Sequence, residues 1–276
     1  MITNTITNTS VEPKVISRET IHRLLADVKY IYKNPLTDNG IYYTHDDADI
    51  MKGYVMIVGP EDTPYFGGYY FFEFNFPTDY PFSPPKVTYM TNNGVTRFNP
   101  NLYKCGKVCV SILNTWSGDK WSACQTINST LLTLCSLLNE NPLLNEPGQT
   151  IASKDFMPYQ NSIEFVNIDF AVCDLLDKSL NRIPGQFIHF YPFMKELFLK
   201  NYNKLSELVT KKNGVNGTNV INGVDGINVI NGVNGVNVIN GANYIYNVQI
   251  YQMVTHANYV LLKDKLIATN ATLSSV

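Results

Sequence analysis

Three runs of strand-forming residues follow one another closely between residues 53 and 90. They read GYVMIVG over 53–59, YYFFEFNF over 69–76 and PPKVTYM over 84–90. Aromatic and β-branched residues are enriched in strands, and turn-forming residues separate the first two runs. Strands that lie so close in sequence pair most readily as an antiparallel meander. This spacing therefore predicts an antiparallel sheet built from local connections.

Helical periodicity flanks the predicted sheet on both sides. Ser17 is predicted to cap a helix that runs to about Lys33, and further helices are predicted over 125–139, much of 162–178, and 260–268. The apolar residues at helical spacing are Ile21, Leu24, Leu25, Val28 and Ile31 in the first helix, and Ile127, Leu131, Leu134 and Leu138 in the second. The order of helix, meander, irregular middle and helices predicts an α+β fold.

A repeat interrupts the helical C-terminal part of the chain. Residues 213–241 are rich in Asn, Gly and Val, and VING recurs at 220, 229 and 238. Val and Ile alternating with Asn-Gly turns would suit a short stacked β-solenoid. Since three repeats are the minimum for stacking, a mobile, loop-like insert is the favoured interpretation.

Composition and motifs exclude several classes of function. A net charge of −2 offers no basic field for nucleic acid or an anionic membrane, and no apolar run is long enough to span a bilayer. The N-terminus lacks the apolar stretch of a signal peptide, so a cytoplasmic or nuclear protein is expected. The sequence has no CxxC, HExxH or phosphate-binding loop, so neither a metal site nor nucleotide hydrolysis is expected.

The stretch NPNLYKCGKVCVSIL over 99–113 carries the strongest chemical signal. Cys109 follows a flexible glycine and a lysine, which favour a reactive thiolate, and thiolates attack acyl groups well. Asn101 stands eight residues earlier, and its amide could donate to a developing oxyanion. The residues alone also allow Cys109 to be a small buried hydrophobic residue, or to pair in space with one of four histidines remote in sequence. The other cysteines, Cys105, Cys124, Cys135 and Cys173, are predicted to be small buried hydrophobic residues.

Three motifs together resemble the ubiquitin-conjugating (E2) family over residues 15–150. They are TPYFGGYYFFEFNFPTDYPFSPPKV (63–87), RFNPNLYKCGKVCVSIL (97–113) and WSACQTINSTLLTLCSLL (121–138). The resemblance implies the UBC fold, with an N-terminal helix, a four-stranded antiparallel meander sheet and C-terminal helices, here followed by a helical extension. The implied organisation is a disordered tail (1–14), a catalytic core (15–150), a helical extension (151–212), the low-complexity repeat (213–241) and a C-terminal helical segment (242–276).

The same resemblance assigns roles to individual residues. Cys109 would accept ubiquitin, or a ubiquitin-like protein, from an activating enzyme (E1) as a thioester, and would pass it to a substrate lysine or a ligase (E3) cysteine. Asn101 would stabilise the oxyanion or the cysteine loop, and Glu146 would be the gate residue that orients or deprotonates the lysine. The implied ligase-binding residues are Pro81, Phe82, Ser122 and Ala123, with core filling as the alternative for Phe82. The first helix would meet the E1, with His22, Arg23 and Lys29 marking its exposed face, although a merely solvated face is the favoured interpretation for charged helix residues in general. No cofactor is implied, because the E1 uses the ATP.

The sequence departs from the usual family pattern at three places. Asn99 replaces the histidine of the family's His-Pro-Asn, Ala123 replaces the proline of its Trp-Ser-Pro, and residues 114–120 form an insert. The insert, the Asn-Pro-Asn and the long C-terminal part resemble the large Z-type subgroup, which the alternative E1 loads with ubiquitin or FAT10. The giant inhibitor-of-apoptosis E2 shares parts of this pattern.

Two other kinds of protein remain as alternatives. One is a binding module that holds ubiquitin or a ligase without chemistry, and the other is an unrelated α+β interaction domain. The presence of Cys109 and Asn101 favours the enzyme. Frequent Asn, Ile, Tyr and Lys are typical of an AT-rich genome, such as that of a parasite or large virus, in which case the protein would act in the host cytoplasm.

Overall fold

The computed structural model describes residues 15–213, 229–231, 236–239 and 243–275. Its helices are α1 (Arg18–Lys33), α2 (Ile127–Ser136), α3 (Phe156–Val166), α4 (Tyr191–Asn213) and α5 (Tyr259–Ser274). Its strands are β1 (Ile41–His45), β2 (Lys52–Val58), β3 (Tyr69–Asn75), β4 (Lys86–Tyr89), β5 (Val229–Asn231), β6 (Val236–Ile239), β7 (Asn243–Val248) and β8 (Met253–Asn258). The predicted tail over 1–14 lies outside the described residues.

Helix α1 begins where its capping residue predicts. The Ser17 hydroxyl accepts a hydrogen bond from the Thr20 backbone N–H at 3.0 Å, which satisfies one of the free donors of the first turn. Leu24 and Ile31 are buried, whereas Leu25 is 53% exposed. The buried stripe of this helix is therefore narrower than the sequence pattern predicts.

The first sheet is the predicted antiparallel meander, with strand order β1-β2-β3-β4. Ile57 at its centre pairs with Ile41 on one side and Tyr70 on the other, and all three side chains are buried. The three runs identified in the sequence are β2, β3 and β4. Strand β1 was not predicted from the sequence, because four of its five residues are only half-buried and its apolar pattern is therefore weak.

Helix α2 packs its apolar stripe into the same core. Ile127, Leu131 and Leu134 are completely buried, and Leu138 is 1% exposed just beyond the helix end. Thr126 and Ser129 form a reciprocal capping box at the start. The helix is thus shorter at both ends than the predicted 125–139.

The extension completes the core rather than forming a separate body. The predicted helix over 162–178 is part of a longer one, in which α3 continues as a π-helix over Asn167–Asp174. Tyr70 donates to the Asn167 side chain at 2.6 Å, which attaches this helix to β3. The Phe187 ring lies 4.9 Å from the Phe71 ring, so the segment before α4 covers the sheet. Core and extension consequently share one hydrophobic cluster.

The C-terminal segment is only half helical, which corrects the prediction for 242–276. Strands β7 and β8 form an antiparallel hairpin across 243–258, and α5 follows. Their burial alternates residue by residue, as expected for strands with one buried face. Helix α5 contains the predicted 260–268 helix.

Two short strands fall within the predicted repeat. β5 and β6 pair antiparallel with each other, and β6 pairs with β7, giving a second sheet of order β5-β6-β7-β8. This arrangement is neither the stacked solenoid nor the loop-like insert considered from the sequence. The rest of the repeat lies outside the described residues. Across the described chain, no helix is long and apolar enough to cross a membrane.

Candidate active site

Cys109 follows a turn that is hydrogen-bonded to β4, at the edge of the first sheet. Residues 102 and 108 form a β-bridge, and the Gly106 carbonyl accepts a hydrogen bond from the Tyr89 N–H at 2.8 Å. Gly106 has φ +87°, and a Cβ there would lie 3.1 Å from the Tyr89 carbonyl oxygen. A side chain at this position would be strained and crowded, so the glycine is required by the turn that presents Cys109.

The Cys109 thiol is covered in this structure. The residue is 3% exposed, and its Sγ lies 3.1 Å from the Thr115 carbonyl oxygen, to which the thiol donates. The Thr115 hydroxyl holds this segment down, because it accepts from the Val110 N–H at 2.9 Å. Thr115, which belongs to the insert over 114–120, is therefore in direct contact with the thiol.

Asn101 is hydrogen-bonded to Cys109 through both its backbone and its side chain. The Asn101 backbone carbonyl oxygen accepts from the Cys109 N–H at 2.8 Å, and the side-chain Nδ2 donates to the Cys109 backbone carbonyl oxygen at 2.7 Å. The side-chain amide has two N–H donors, and this contact uses one of them. The Asn101 Oδ1 is buried without a hydrogen-bond partner. The structure brings the two predicted residues together and places the amide beside the cysteine.

Asn99 has a structural role in the same turn. It is fully buried, and its Nδ2 donates to the Tyr65 hydroxyl at 2.9 Å and to the Leu137 carbonyl oxygen at 2.7 Å. Its Oδ1 accepts from the Asn101 N–H at 2.9 Å. Asn99, which stands where the resembled family usually has a histidine, thus has an amide whose donors and acceptor are all hydrogen-bonded.

Glu146 lies in the segment after α2, and its carboxylate is half-buried. Its Oε2 accepts a hydrogen bond from the Tyr251 hydroxyl at 2.8 Å. The preceding residue, Asn145, donates to the Leu137 carbonyl oxygen at 3.3 Å, which is the acceptor that Asn99 also uses. Tyr251 was not predicted from the sequence, because it lies 105 residues after Glu146 and no local sequence pattern distinguishes it.

The predicted ligase-binding residues lie on two adjoining loops. The Trp121 Nε1 donates to the Pro81 carbonyl oxygen at 2.7 Å and joins the loops. Phe82 is 68% exposed, so the alternative that it fills the core is wrong. Ser122 is exposed and Ala123 is half-buried, whereas Pro81 is buried. The exposed part of the predicted surface is therefore Phe82 with Ser122.

The predicted exposed face of α1 needs one correction. His22 and Lys29 are exposed, but Arg23 is engaged within the fold. Its guanidinium donates to the Ala123 carbonyl oxygen at 2.8 Å and pairs with Asp27 at 3.0 Å. Arg23 therefore links α1 to the loop of the predicted ligase surface and is not free to meet an E1.

The remaining cysteines differ in exposure. All five cysteines are free; Cys105 and Cys124 are exposed, Cys135 is half-buried and Cys173 is buried. The prediction of burial is therefore wrong for the first two. Burial raises the pKa of Cys173 to about 12 and also raises the pKa of Cys135. Among the described side chains, no group of three or more His, Cys, Asp or Glu is placed to hold a metal ion.

Comparison with known proteins finds a matching family model and several similar relatives. A family model described as ubiquitin-conjugating enzyme matches residues 23–166, just over half of the chain. Ubiquitin-conjugating enzyme E2 Z of Xenopus tropicalis is 44% identical over 164 residues, which are 58% of this chain and 52% of the relative. The Homo sapiens E2 Z is 45% identical over 158 residues, 56% of this chain and 44% of the relative. The chain thus spans about half the length of the curated relatives it matches.

A solved structure, that of human ubiquitin-conjugating enzyme E2 G1, is 32% identical and covers 44% of this chain and 94% of that chain, with a TM-score of 0.38. The Danio rerio E2 Z is 38% identical over 207 residues, which are 74% of this chain and 61% of the relative. The family model and the Z-type relatives agree with the resemblance drawn from the three sequence motifs. The chain belongs to the ubiquitin-conjugating enzyme (E2) family and is similar to its Z-type members.

Proposed function

We propose that the protein is an E2 that carries ubiquitin, or a ubiquitin-like protein, as a thioester on Cys109. The observation that carries the proposal is the pairing of Cys109 with Asn101, through hydrogen bonds of 2.8 Å and 2.7 Å, on a turn fixed to the sheet. This arrangement holds a nucleophile and an amide donor in one rigid unit, as acyl transfer requires.

The first half-reaction is an exchange of thioesters. The Cys109 sulfur, as a thiolate, attacks the carbonyl carbon of the modifier's C-terminus on the E1, and a new C–S bond forms. The C–S bond to the E1 cysteine breaks, and that cysteine leaves as a thiolate that takes up a proton. The second N–H of the Asn101 amide is the donor available to the oxyanion of the tetrahedral intermediate.

In the second half-reaction the modifier leaves Cys109. A lysine amine attacks the thioester carbonyl, the C–N bond forms, the C–S bond breaks, and the amine loses a proton. A ligase cysteine would react by the same exchange as the first step. No cofactor takes part on this chain, because the E1 uses ATP to make the first thioester. Substrate proteins, a ligase that meets Phe82, and a cytoplasmic or nuclear setting complete the proposal.

The similarity to Z-type relatives supports a finer proposal about the loading step. The alternative E1 would charge this protein, with ubiquitin or FAT10 as the modifier. A non-catalytic module that binds ubiquitin or a ligase is the second candidate, and the 3% exposure of Cys109 is the observation that favours it.

A charging assay tests the proposal. The protein is mixed with ATP, ubiquitin or FAT10, and each of the two E1 enzymes, and is then run on a gel with and without reductant. We expect a band heavier by one modifier that reductant removes and that Cys109→Ala lacks. Cys109→Ser should give a band that resists reductant, because an oxygen ester replaces the thioester. Absence of a band with both E1 enzymes and both modifiers would favour the binding module.

A further inference from the structure

The tip of the β7–β8 hairpin is fastened to the core by a buried carboxylate. Asp155, which is 5% exposed, accepts hydrogen bonds from the backbone N–H groups of Gln249 and Ile250 at 2.9 Å and 3.0 Å. A carboxylate that accepts two backbone donors in a buried place holds them firmly, because either donor would otherwise be left unpaired. The next residue along the tip, Tyr251, is therefore presented in a defined position.

Tyr251 makes three contacts there. Its hydroxyl donates to the Glu146 carboxylate at 2.8 Å, its ring lies 5.4 Å from the Tyr159 ring, and the Arg97 guanidinium lies 5.4 Å from its ring centroid. Burial and the neighbouring Glu146 carboxylate raise the pKa of Tyr251 well above its usual value. The hydroxyl therefore keeps its proton and acts as a donor to Glu146.

Arg97 connects Tyr251 to the turn before the reactive cysteine. Its guanidinium donates to the Asn99 carbonyl oxygen at 3.1 Å and to the Pro100 carbonyl oxygen at 2.6 Å, and it stacks 3.3 Å from the centroid of the Tyr103 ring. Asn101 follows Pro100 directly. The hairpin tip thus contacts the cysteine turn through one arginine.

A second connection runs through the segment that carries Glu146. Asn145 and Asn99 donate to the same acceptor, the Leu137 carbonyl oxygen, at 3.3 Å and 2.7 Å. Glu146 is therefore adjacent to the Asn-Pro-Asn turn on one side and bound by Tyr251 on the other. Both connections bring a residue from beyond the repeat to the edge of the active site.

We propose that Tyr251 is a positioning residue for transfer of the modifier to lysine. This proposal rests on the proposed function. The Tyr251 hydroxyl fixes one oxygen of the Glu146 carboxylate, which leaves the other oxygen to accept a hydrogen bond from the incoming lysine amine. The amine then attacks the Cys109 thioester, the C–N bond forms, Cys109 leaves as a thiolate, and the surplus amine proton passes to solvent. Transfer to a small thiol has no amine to orient and needs no carboxylate.

The test is single-turnover discharge of the charged full-length protein to free lysine and, in parallel, to N-acetylcysteine, a thiol without a free amine. For Tyr251→Phe we expect charging by the E1 at the wild-type rate, discharge to lysine slower by about tenfold, since a hydrogen bond to a charged group is lost, and unchanged discharge to N-acetylcysteine. The matched control is Tyr246→Phe, which removes a buried hydroxyl from the same hairpin, where it contacts only the Tyr259 hydroxyl at 3.3 Å among the described contacts. It should leave both rates unchanged.

A double-mutant cycle completes the test. Tyr251→Phe should slow lysine discharge no further in a Glu146→Gln background, because the two groups act as one unit. Equal slowing towards lysine and N-acetylcysteine, unchanged lysine discharge, or additive effects with Glu146→Gln would each overturn the proposal. Failure of the wild-type protein to charge with any E1 would instead overturn the proposed function, so the two failures are distinguishable.

Discussion

Two asparagines on either side of Pro100 use their amides differently. Asn99 is completely buried and pairs its donors with Tyr65 and Leu137, so its amide has no capacity left for a reacting group. Asn101 uses one N–H on the Cys109 carbonyl oxygen at 2.7 Å and retains the other. Asn99 is therefore a residue of the fold, and Asn101 is the one able to serve both the fold and the reaction.

Asn101→Ala is expected to slow transfer to lysine more than loading by the E1. Removing a donor of this kind costs about 2.7–4 kcal/mol of transition-state stabilisation. The measurement compares single-turnover loading with discharge to free lysine. Asn101→Asp is the matched control, since it keeps the size of the side chain but lacks the amide donor, and it should be slowed as well. Unchanged discharge in Asn101→Ala would leave Asn101 as a loop residue only.

At the level of residues, sequence reasoning reached the part of the site that is local in the chain. Cys109 and Asn101 stand eight residues apart in one motif, so their juxtaposition follows from a single turn. Tyr251 and Arg97 meet only when the C-terminal segment packs against the core, and no spacing in the sequence records that contact. The exposure of Cys105 and Cys124 was also beyond prediction, because it depends on which side of a turn each residue occupies.

Among the secondary-structure elements, helix α1 and the apolar strands β2 to β4 were predicted from the sequence, whereas the half-polar strands were not. Helix α1 has a capping serine and an apolar stripe, and the predicted boundaries hold to within one residue. Strand β1 and the β7–β8 hairpin are five or six residues long with half-polar sequences. They exist because a neighbouring strand supplies the pairing, which is tertiary information.

Helix α1 is attached to the α2 side of the molecule by Arg23. Its guanidinium donates to the carbonyl oxygens of Ala123 and Gln125 and pairs with Asp27, which is 8% exposed. The Arg23 side chain is 23% exposed, so these hydrogen bonds are largely shielded from water. The planar guanidinium can satisfy all three acceptors at once, whereas a lysine ammonium has a different geometry.

Arg23→Ala is expected to lower the free energy of unfolding by about 2 kcal/mol, since hydrogen bonds to a charged group are lost and the buried Asp27 loses its cation. Arg23→Lys should recover only part of the loss. Urea unfolding of the three proteins gives the values. Equal stability of wild type and Arg23→Ala would show that the contacts with the 123–125 loop contribute nothing to the fold.

For the whole molecule, core and extension form one hydrophobic cluster, yet the repeat is attached at its margin. The Tyr244 hydroxyl donates to the Lys212 carbonyl oxygen at 3.3 Å, so the end of α4 and the start of β7 lie within the length of one side chain. Lys212 is itself held by Glu164 at 3.0 Å. The chain between these two points therefore ends close to where it starts, as expected at a site that tolerates insertion.

Replacement of residues 213–241 by a short Gly-Ser linker is expected to leave charging of Cys109 by the E1 within about twofold of wild type, the size of effect typical of changes away from buried contacts. The cysteine turn is held by contacts within the core, and Asp155 still holds the tip of the β7–β8 hairpin after β5 and β6 are removed. The control is a Gly-Ser segment of the same length as the repeat. If both replacements lose charging, the repeat itself supports the fold or docks the E1; if only the short linker loses it, the connection between α4 and β7 is longer than the Tyr244–Lys212 contact implies.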